Sequence, residues 1–202
     1  MKTKKNYILL IGLVLISFSC NKETVSLIKD YGTVSDIEGN VYQTVLIENQ
    51  WWMAENLKTT IANDGTPLDS SYFSWYDDDE TTYKDLLGAL YTYNVINKIC
   101  PVNWHLSGYK EWHKLEDNLG INPIQKMLDT IRATPHCINA TNKSGLSIRL
   151  FPIGESAYFW HTGGGVYQYD GNVFQLDCES ETFKIFDSGF GDAGYSVRCV
   201  KD

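Results

Sequence analysis

Alternating apolar and polar residues predict β-strands at the start and at the end of the chain. Tyr31 to Ser35 and Val41 to Ile47 are rich in β-branched residues, and Glu38-Gly39-Asn40 between them has the composition of a turn. These segments predict a β-hairpin. Beyond Ser144 the pattern returns to short strands and long loops, and it ends on a predicted strand from Tyr195 to Val200.

The middle of the chain has the periodicity of helices instead. Trp112, Leu115 and Leu119 recur at helical spacing, and Gly120 follows as a stop. A second helix is predicted with Asn122 as its N-cap and Pro123 at its first position, because its apolar residues share one stripe: Ile124, Met127, Leu128 and Ile131. A hairpin, two helices and further strands predict one α+β domain over residues 31–202.

An apolar run at the N-terminus follows a cluster of positive charge. Lys2, Lys4 and Lys5 precede a mostly apolar run from Tyr7 to Phe18. The run is shorter than the about 20 residues that a transmembrane helix needs. Residues 1–19 are therefore predicted to be an export signal.

Cys20 directly follows this run, and the junction resembles a bacterial lipobox. Such boxes usually have an aliphatic residue where Ser17 stands and a small one where Phe18 stands. We expect Cys20 to be lipidated and residues 20–30 to form a tether. The lipid would then anchor the chain in a bacterial cell envelope, at the outer membrane, on either the periplasmic face or the cell surface. The alternative is ordinary cleavage nearby, which leaves Cys20 as a free thiol.

Charge and cysteine content narrow the possible partners. Loss of Lys2, Lys4 and Lys5 changes the formal charge from −8 to −8 − 3 = −11, which argues against nucleic-acid binding and leaves the lipid as the membrane contact. The other four cysteines lack C-x-x-C spacing and nearby histidines, so they favour disulfides over zinc: Cys100, Cys137, Cys178 and Cys199.

Several motifs closely resemble the Fibrobacter succinogenes major paralogous domain family. The most specific is Trp51-Trp52-Met53-Ala54-Glu55-Asn56-Leu57, and others follow in the family's order: Gly88-Ala89-Leu90-Tyr91, Cys100-Pro101, Glu111-Trp112 and Tyr195-Ser196-Val197-Arg198-Cys199-Val200. The resemblance spans Tyr31 to Asp202. At Ser107-Gly108 the chain departs from the family's Pro-Thr, so we expect the reciprocal cap with Glu111 to be lost.

The family resemblance implies a fold similar to C-type lectins and formylglycine-generating enzymes. In that fold two helices flank a twisted, mainly antiparallel sheet with long loops. The resemblance also implies a disulfide between Cys100 and Cys199, after which Cys137 and Cys178 pair by elimination. It implies little about activity, because a scaffold does not determine a function.

Aromatic residues in predicted loops are the candidate ligand contacts. Trp51, Trp52, Trp104 and Trp112 lie in strand or helix patterns and are predicted to be buried. Two other segments are predicted to be exposed and to share one shallow surface, with a sugar stacking on Trp160: Trp75 and Tyr76, and Tyr158, Phe159, Trp160, Tyr167 and Tyr169. His161, in the glycine-rich segment next to Trp160, is a further candidate ligand contact. The alternative is that these loops pack on one another as a second small core.

Other candidate chemistry is weaker. Asp77-Asp78-Asp79-Glu80 has oxygen ligands for Ca²⁺ but lacks the EF-hand spacing, so it favours a solvated loop. The four histidines form no close ligand set, and no nucleophile motif is present. We expect no metal and no cofactor.

These patterns favour a lipid-anchored, non-catalytic binding or adhesion protein whose partner is a glycan or an envelope protein. Two alternatives stay open. One is an enzyme or enzyme accessory related to the sulfatase-modifying domains, which requires a reactive thiol or a metal site. The other is a purely structural envelope protein.

Overall fold

The computed structural model of the chain describes residues 30–130, 140–151, 156–163, 172–177, 183–187 and 193–202. These residues form ten strands: β1 Tyr31–Ser35, β2 Val41–Ile47, β3 Gln50–Met53, β4 Phe73–Ser74, β5 Leu90–Tyr91, β6 His105–Leu106, β7 Ser156–His161, β8 Asn172–Asp177, β9 Lys184–Asp187 and β10 Cys199–Lys201. They also form three α-helices: α1 Glu80–Leu87, α2 Tyr109–Leu119 and α3 Pro123–Met127. Within those ranges, no helix is long and apolar enough to cross a membrane.

The predicted hairpin is confirmed as β1 and β2, which pair antiparallel with Tyr31 opposite Val45. Its turn is held by Asp36, whose Oδ1 accepts hydrogen bonds from the backbone N–H of Glu38 at 3.0 Å and of Asn40 at 2.9 Å. The other oxygen, Oδ2, accepts from the hydroxyl of Tyr42 at 2.6 Å. One buried carboxylate therefore joins the turn to the strand that follows it.

The C-terminal strand lies inside the main sheet. The five strands are ordered β1-β2-β3-β10-β6, and every pairing is antiparallel. Val200 pairs with Trp52 on one side and with His105 on the other. Because β10 supplies both neighbours with backbone partners, the last residues of the chain are needed to complete the sheet.

The main sheet separates two hydrophobic cores. Successive side chains on a strand point to opposite faces, and accordingly Trp52 and Val200 belong to one core while Met53 and Cys199 belong to the other. The first core contains the buried residues of α2 and α3. The second contains Leu57 and the buried apolar residues of the 89–100 segment, which includes Tyr91.

The first predicted helix is confirmed as α2, in which Trp112, Leu115 and Leu119 are buried and which ends before Gly120. The second is shorter than predicted, because Leu128 after α3 is extended, with φ −70° and ψ 138°. Asn122 is the N-cap residue of α3 and Pro123 its first residue, as predicted, but the side chain of Asn122 does not act as the cap. Its backbone is left-handed (φ 56°) rather than extended, and its side chain makes no capping hydrogen bond.

The segment around Trp160 is a strand, and its prediction as an exposed loop was wrong. β7, β8 and β9 form a three-stranded antiparallel sheet in which Trp160 pairs with Val173. Phe159 and Trp160 are both fully buried, Phe159 in the first core and Trp160 in the second. This small sheet therefore contributes to both cores. With β1 to β6 and the helices it makes a mixed α and β domain with mainly antiparallel sheets.

The disulfide between Cys100 and Cys199 is confirmed, with a Cα–Cα distance of 5.8 Å. It joins β10 to the segment that precedes β6 and α2, across a sequence separation of 99 residues. Cys20, Cys137 and Cys178 lie outside the described residues.

Candidate functional site

The Trp51–Leu57 motif mainly builds the core. Trp52, Met53 and Leu57 are buried, and the ring of Trp52 meets the ring of Trp112 edge-on at 5.0 Å. Glu55 is exposed and accepts a hydrogen bond from the backbone N–H of Gln43 at 2.6 Å. Trp51 and Trp104, which we predicted to be buried, are half-buried.

Arg198 connects this motif to two other parts of the chain. Its side chain is buried, and Nε donates to Oδ1 of Asn56 at 2.6 Å. Nη1 donates to the carbonyl oxygens of Met53 at 2.9 Å and Leu146 at 2.7 Å. Burial lowers the pKa of the guanidinium to about 9, so that Arg198 is still charged at neutral pH. Asn56 in turn donates to the carbonyl oxygen of Leu87 at 2.7 Å.

Glu111 keeps half of the helix cap that we expected to be lost. Its carboxylate accepts from the backbone N–H of Gly108 at the start of α2. The other oxygen contacts Nε2 of His105 at 2.9 Å and accepts from Nε2 of Gln50 at 2.6 Å. The half of the cap that needs a hydroxyl is absent because Gly108 has no side chain.

An open groove of about 630 Å³ lies beside Trp75, and we call it the Trp75 groove. Its lining combines apolar and charged side chains: Pro67, Leu68, Phe73 and Trp75, together with Glu38, Asp78, Glu80 and Lys84. Trp75 is half-buried. Its ring packs edge-on against Phe73 at 5.9 Å, and Nζ of Lys84 lies 5.2 Å from the ring centre.

Tyr76 follows Trp75 in sequence but packs elsewhere. Its ring stacks on Phe151 at 5.4 Å and meets Tyr83 edge-on at 5.0 Å. Phe151 stacks in turn on Tyr158 at 6.3 Å. The two predicted aromatic segments are thus brought together at Tyr76 and Tyr158, through packed rings.

Trp160 is the clearest correction to the predicted ligand surface. The ring is fully buried, and its Nε1 donates to the carbonyl oxygen of Tyr91 at 2.6 Å. Tyr195 and Tyr93 pack against it at 4.9 Å and 5.8 Å. A sugar cannot stack on a ring that the protein already covers, so the predicted contact at Trp160 was wrong.

His161, the other candidate ligand contact in this segment, is only 2% exposed. The pKa of its imidazole is lowered to about 4, mainly by burial and to a smaller extent by the neighbouring His113. The ring packs on Phe174 at a centroid distance of 4.3 Å. His161 is therefore neutral at pH 7. Tyr167 and Tyr169, the remaining members of the predicted surface, lie outside the described residues.

Two residues of the acidic run Asp77–Glu80 stabilise helix α1. Asp79 caps α1, since its Oδ1 accepts from the backbone N–H of Thr82 at 3.0 Å. Glu80 forms an ion pair with Lys84 at 2.8 Å, one helical turn later. In the part of the chain that the structure describes, no group of three or more histidine, cysteine, aspartate or glutamate side chains is placed to hold a metal ion.

A second, narrower pocket lies beside Arg198 and was not predicted from the sequence. Two acidic side chains, Glu55 and Asp85, line it together with four basic ones: Lys58, Lys84, Arg149 and Arg198. These residues are far apart along the chain and share no motif. Only the packing of α1, the 146–149 loop and the C-terminal segment brings them together.

Residues 45–201 match the family profile of the Fibrobacter succinogenes major domain. Because the match covers most of the chain, this protein belongs to that family, and the resemblance carried by the Trp51–Leu57 motif is confirmed. Comparisons with curated proteins and with solved structures found no match.

Proposed function

We propose that the chain is a lipid-anchored protein of a bacterial cell envelope, with a C-type-lectin-like domain that binds a partner without catalysis. The disulfide between Cys100 and Cys199 supports export, because such bonds persist in oxidising compartments. The charged and apolar pattern before Cys20 supports the lipid anchor. In this proposal the lipid on Cys20 anchors the domain at the outer membrane.

The Trp75 groove supports the binding role, and it is the observation on which the proposal rests. Its volume of about 630 Å³ lies within the range of about 300 to 1,000 Å³ that is common for ligand sites. Such sites combine apolar and aromatic lining with a few polar groups that orient the ligand. Leu68, Phe73 and Trp75 supply the first kind of lining, and Asp78 and Glu80 supply the second.

A glycan suits this lining better than an apolar ligand does. The apolar face of a sugar ring can pack against a half-exposed indole, while its hydroxyl groups donate hydrogen bonds to carboxylates. Glu38, Asp78 and Glu80 provide those acceptors along the groove. The same acidic lining disfavours an anionic group beside Trp75.

Glycan-array binding by the full-length chain tests the proposal. We expect Trp75→Ala to weaken binding at least about tenfold, equivalent to about 1.4 kcal/mol. Tyr31→Ala is the matched control, because it removes an aromatic ring that is 67% exposed and lies outside the groove. Equal glycan binding by Trp75→Ala and the wild type would place the binding surface elsewhere.

Metabolic labelling with a palmitate analogue tests the anchor separately. The wild-type chain is expected to incorporate the label and to sediment with membranes. Cys20→Ser is expected to lose both properties, because the thiol that carries the lipid is gone. Labelling of Cys20→Ser at the wild-type level contradicts the anchor assignment.

A further inference from the structure

We propose that the pocket lined by Lys58, Arg149 and Arg198 binds one oxyanion group of a ligand, a carboxylate or a sulfate. The site shares only Lys84 with the lining of the Trp75 groove, and it does not depend on the glycan proposal. We call it the Arg198 pocket.

Arg198 is the first reason for the proposal. A buried charge is costly unless it is paired, yet the hydrogen bonds of this guanidinium go to neutral oxygen atoms, those of Asn56, Met53 and Leu146. Within the described residues, no carboxylate oxygen lies within 4.0 Å of it, and no hydrogen bond is found for Nη2. Three of its five N–H groups are thus used by Nε and Nη1, and the two on Nη2 are left for an acceptor that enters the pocket.

The carboxylate of Glu55 attracts Arg198 only from a greater distance. Glu55 is exposed, and its carboxylate accepts from the backbone N–H of Gln43. Solvent screens such an exposed charge. Glu55 thus compensates Arg198 less than a carboxylate in direct contact would.

The other cations of the Arg198 pocket already have partners that hold them in place. Lys58 pairs with Asp85 at 2.6 Å, and Arg149 pairs with Asp129 at 2.8 Å. Asp85 is largely exposed, with 87% of its side chain accessible, so Lys58 can exchange this partner for a ligand at little cost. Fixed donors of this kind are suited to charge-assisted hydrogen bonds with an oxyanion.

The size of the pocket limits what can enter. It encloses about 80 Å³. A single water needs about 10 to 15 Å³ of such space, so the pocket accepts a group of a few heavy atoms. A carboxylate or a sulfate that projects from a larger ligand fits this limit.

Calorimetric titration of the full-length chain in low-salt buffer tests the proposal. The probes are galacturonate, N-acetylalanine and inorganic sulfate, with galactose as the neutral match for galacturonate. We expect at least one of the three anions to bind and galactose not to compete with it. A preference for galacturonate indicates an acidic sugar as the source of the group, a preference for N-acetylalanine a peptide carboxylate, and a preference for sulfate a sulfated ligand.

Lys58→Glu is the most suitable variant. The present partner of Lys58 is exposed, and the substitution leaves the buried hydrogen bonds of Arg198 intact, which a substitution of Arg198 itself would not. We expect the affinity for the anion to fall at least about tenfold. Lys110→Glu makes the same charge change on the exposed surface of α2 and is expected to bind as the wild type does. Trp75→Ala is likewise expected to bind the anion, because Lys58, Arg149 and Arg198 line only the Arg198 pocket and not the groove.

Three results overturn the proposal. The first is that none of the anions binds at millimolar concentration. The second is that galactose binds as tightly as galacturonate and competes with it. The third is that Lys58→Glu and Lys110→Glu lose affinity equally, which would indicate a general effect of net charge.

Discussion

The indole of Trp160 donates a hydrogen bond from Nε1 to the carbonyl oxygen of Tyr91 at 2.6 Å, linking β7 to β5. The same carbonyl oxygen accepts from the backbone N–H of Tyr195 at 3.0 Å. Three segments that are distant in sequence therefore meet at one oxygen atom. Trp160 is a structural residue of the second core, and its contribution is to stability.

Replacing Trp160 tests this structural role. Trp160→Ala is expected to lower the free energy of unfolding by about 3 to 5 kcal/mol, because it leaves a large cavity in the core. Trp160→Phe refills most of the space, so its loss is expected to be smaller: about 1 kcal/mol for the hydrogen bond, together with the cost of a smaller cavity. Urea denaturation at pH 7 measures both losses. A loss below about 1 kcal/mol in Trp160→Ala would show that the ring contributes little to the core.

Removing the Cys100–Cys199 disulfide is expected to destabilise the domain strongly. The bond closes a loop with a separation of 99 residues, and the chain-entropy model assigns about 4 to 5 kcal/mol to a loop of that length. Denaturant unfolding of the double variant Cys100→Ala, Cys199→Ala against the oxidised wild type measures the effect. Peptide mapping without reduction checks the pairing itself, and a dominant Cys100–Cys137 linkage would contradict it.

Gly88 is predicted to be far less tolerant of alanine than Gly39. Both have a positive φ, 71° for Gly88 and 90° for Gly39, so both substitutions carry backbone strain of about 1 to 3 kcal/mol. A Cβ on Gly88 would lie 2.6 Å from the carbonyl oxygen of Leu57, whereas a Cβ on Gly39 would meet nothing within 4 Å.

Thermal unfolding of Gly88→Ala and Gly39→Ala separates the effect of backbone strain from that of a steric clash. Gly39→Ala is expected to show only the strain, and Gly88→Ala is expected to lose at least about 2 kcal/mol more, because the Asn56–Leu57 backbone must shift. Equal losses in the two variants would show that the contact between Gly88 and Leu57 is readily relieved.

His161 is predicted to make the domain less stable in mild acid. Its pKa is about 4 in the folded chain, against an ordinary value of 6.5. Below pH 6.5 the unfolded chain binds a proton that the folded chain does not, so the free energy of unfolding falls with pH until about pH 4. The expected contribution at pH 5 is about 2 kcal/mol.

His161→Leu should remove that contribution. The difference in unfolding free energy between the wild type and His161→Leu is expected to shift by about 2 kcal/mol from pH 7 to pH 5, at the expense of the wild type. Carboxylates titrate in both proteins, so their contribution to the unfolding free energy cancels in this difference. Stability curves that stay parallel across this range would show that His161 is as easily protonated in the folded chain as in the unfolded one.

Local pattern was sufficient for the elements whose signals lie within a few residues. The hairpin of β1 and β2 has a strong turn, and α2 has an unbroken helical stripe of Trp112, Leu115 and Leu119. The family also followed from a short specific motif, Trp51–Leu57, and the match over residues 45–201 agrees with it. The family resemblance in turn implied the Cys100–Cys199 bond.

Tertiary structure alone decided which aromatic side chains are covered. Tyr158, Phe159 and Trp160 stand next to a glycine-rich segment, which favours a loop, but pairing with β8 makes them a strand with both faces packed. Likewise, the cations of the Arg198 pocket come from four separate segments, 58, 84, 149 and 198. Turns and helices depend on residues that are neighbours in sequence, so the sequence by itself determined them. Burial and electrostatic environment depend on contacts between residues far apart in the chain, so only the tertiary structure decided them.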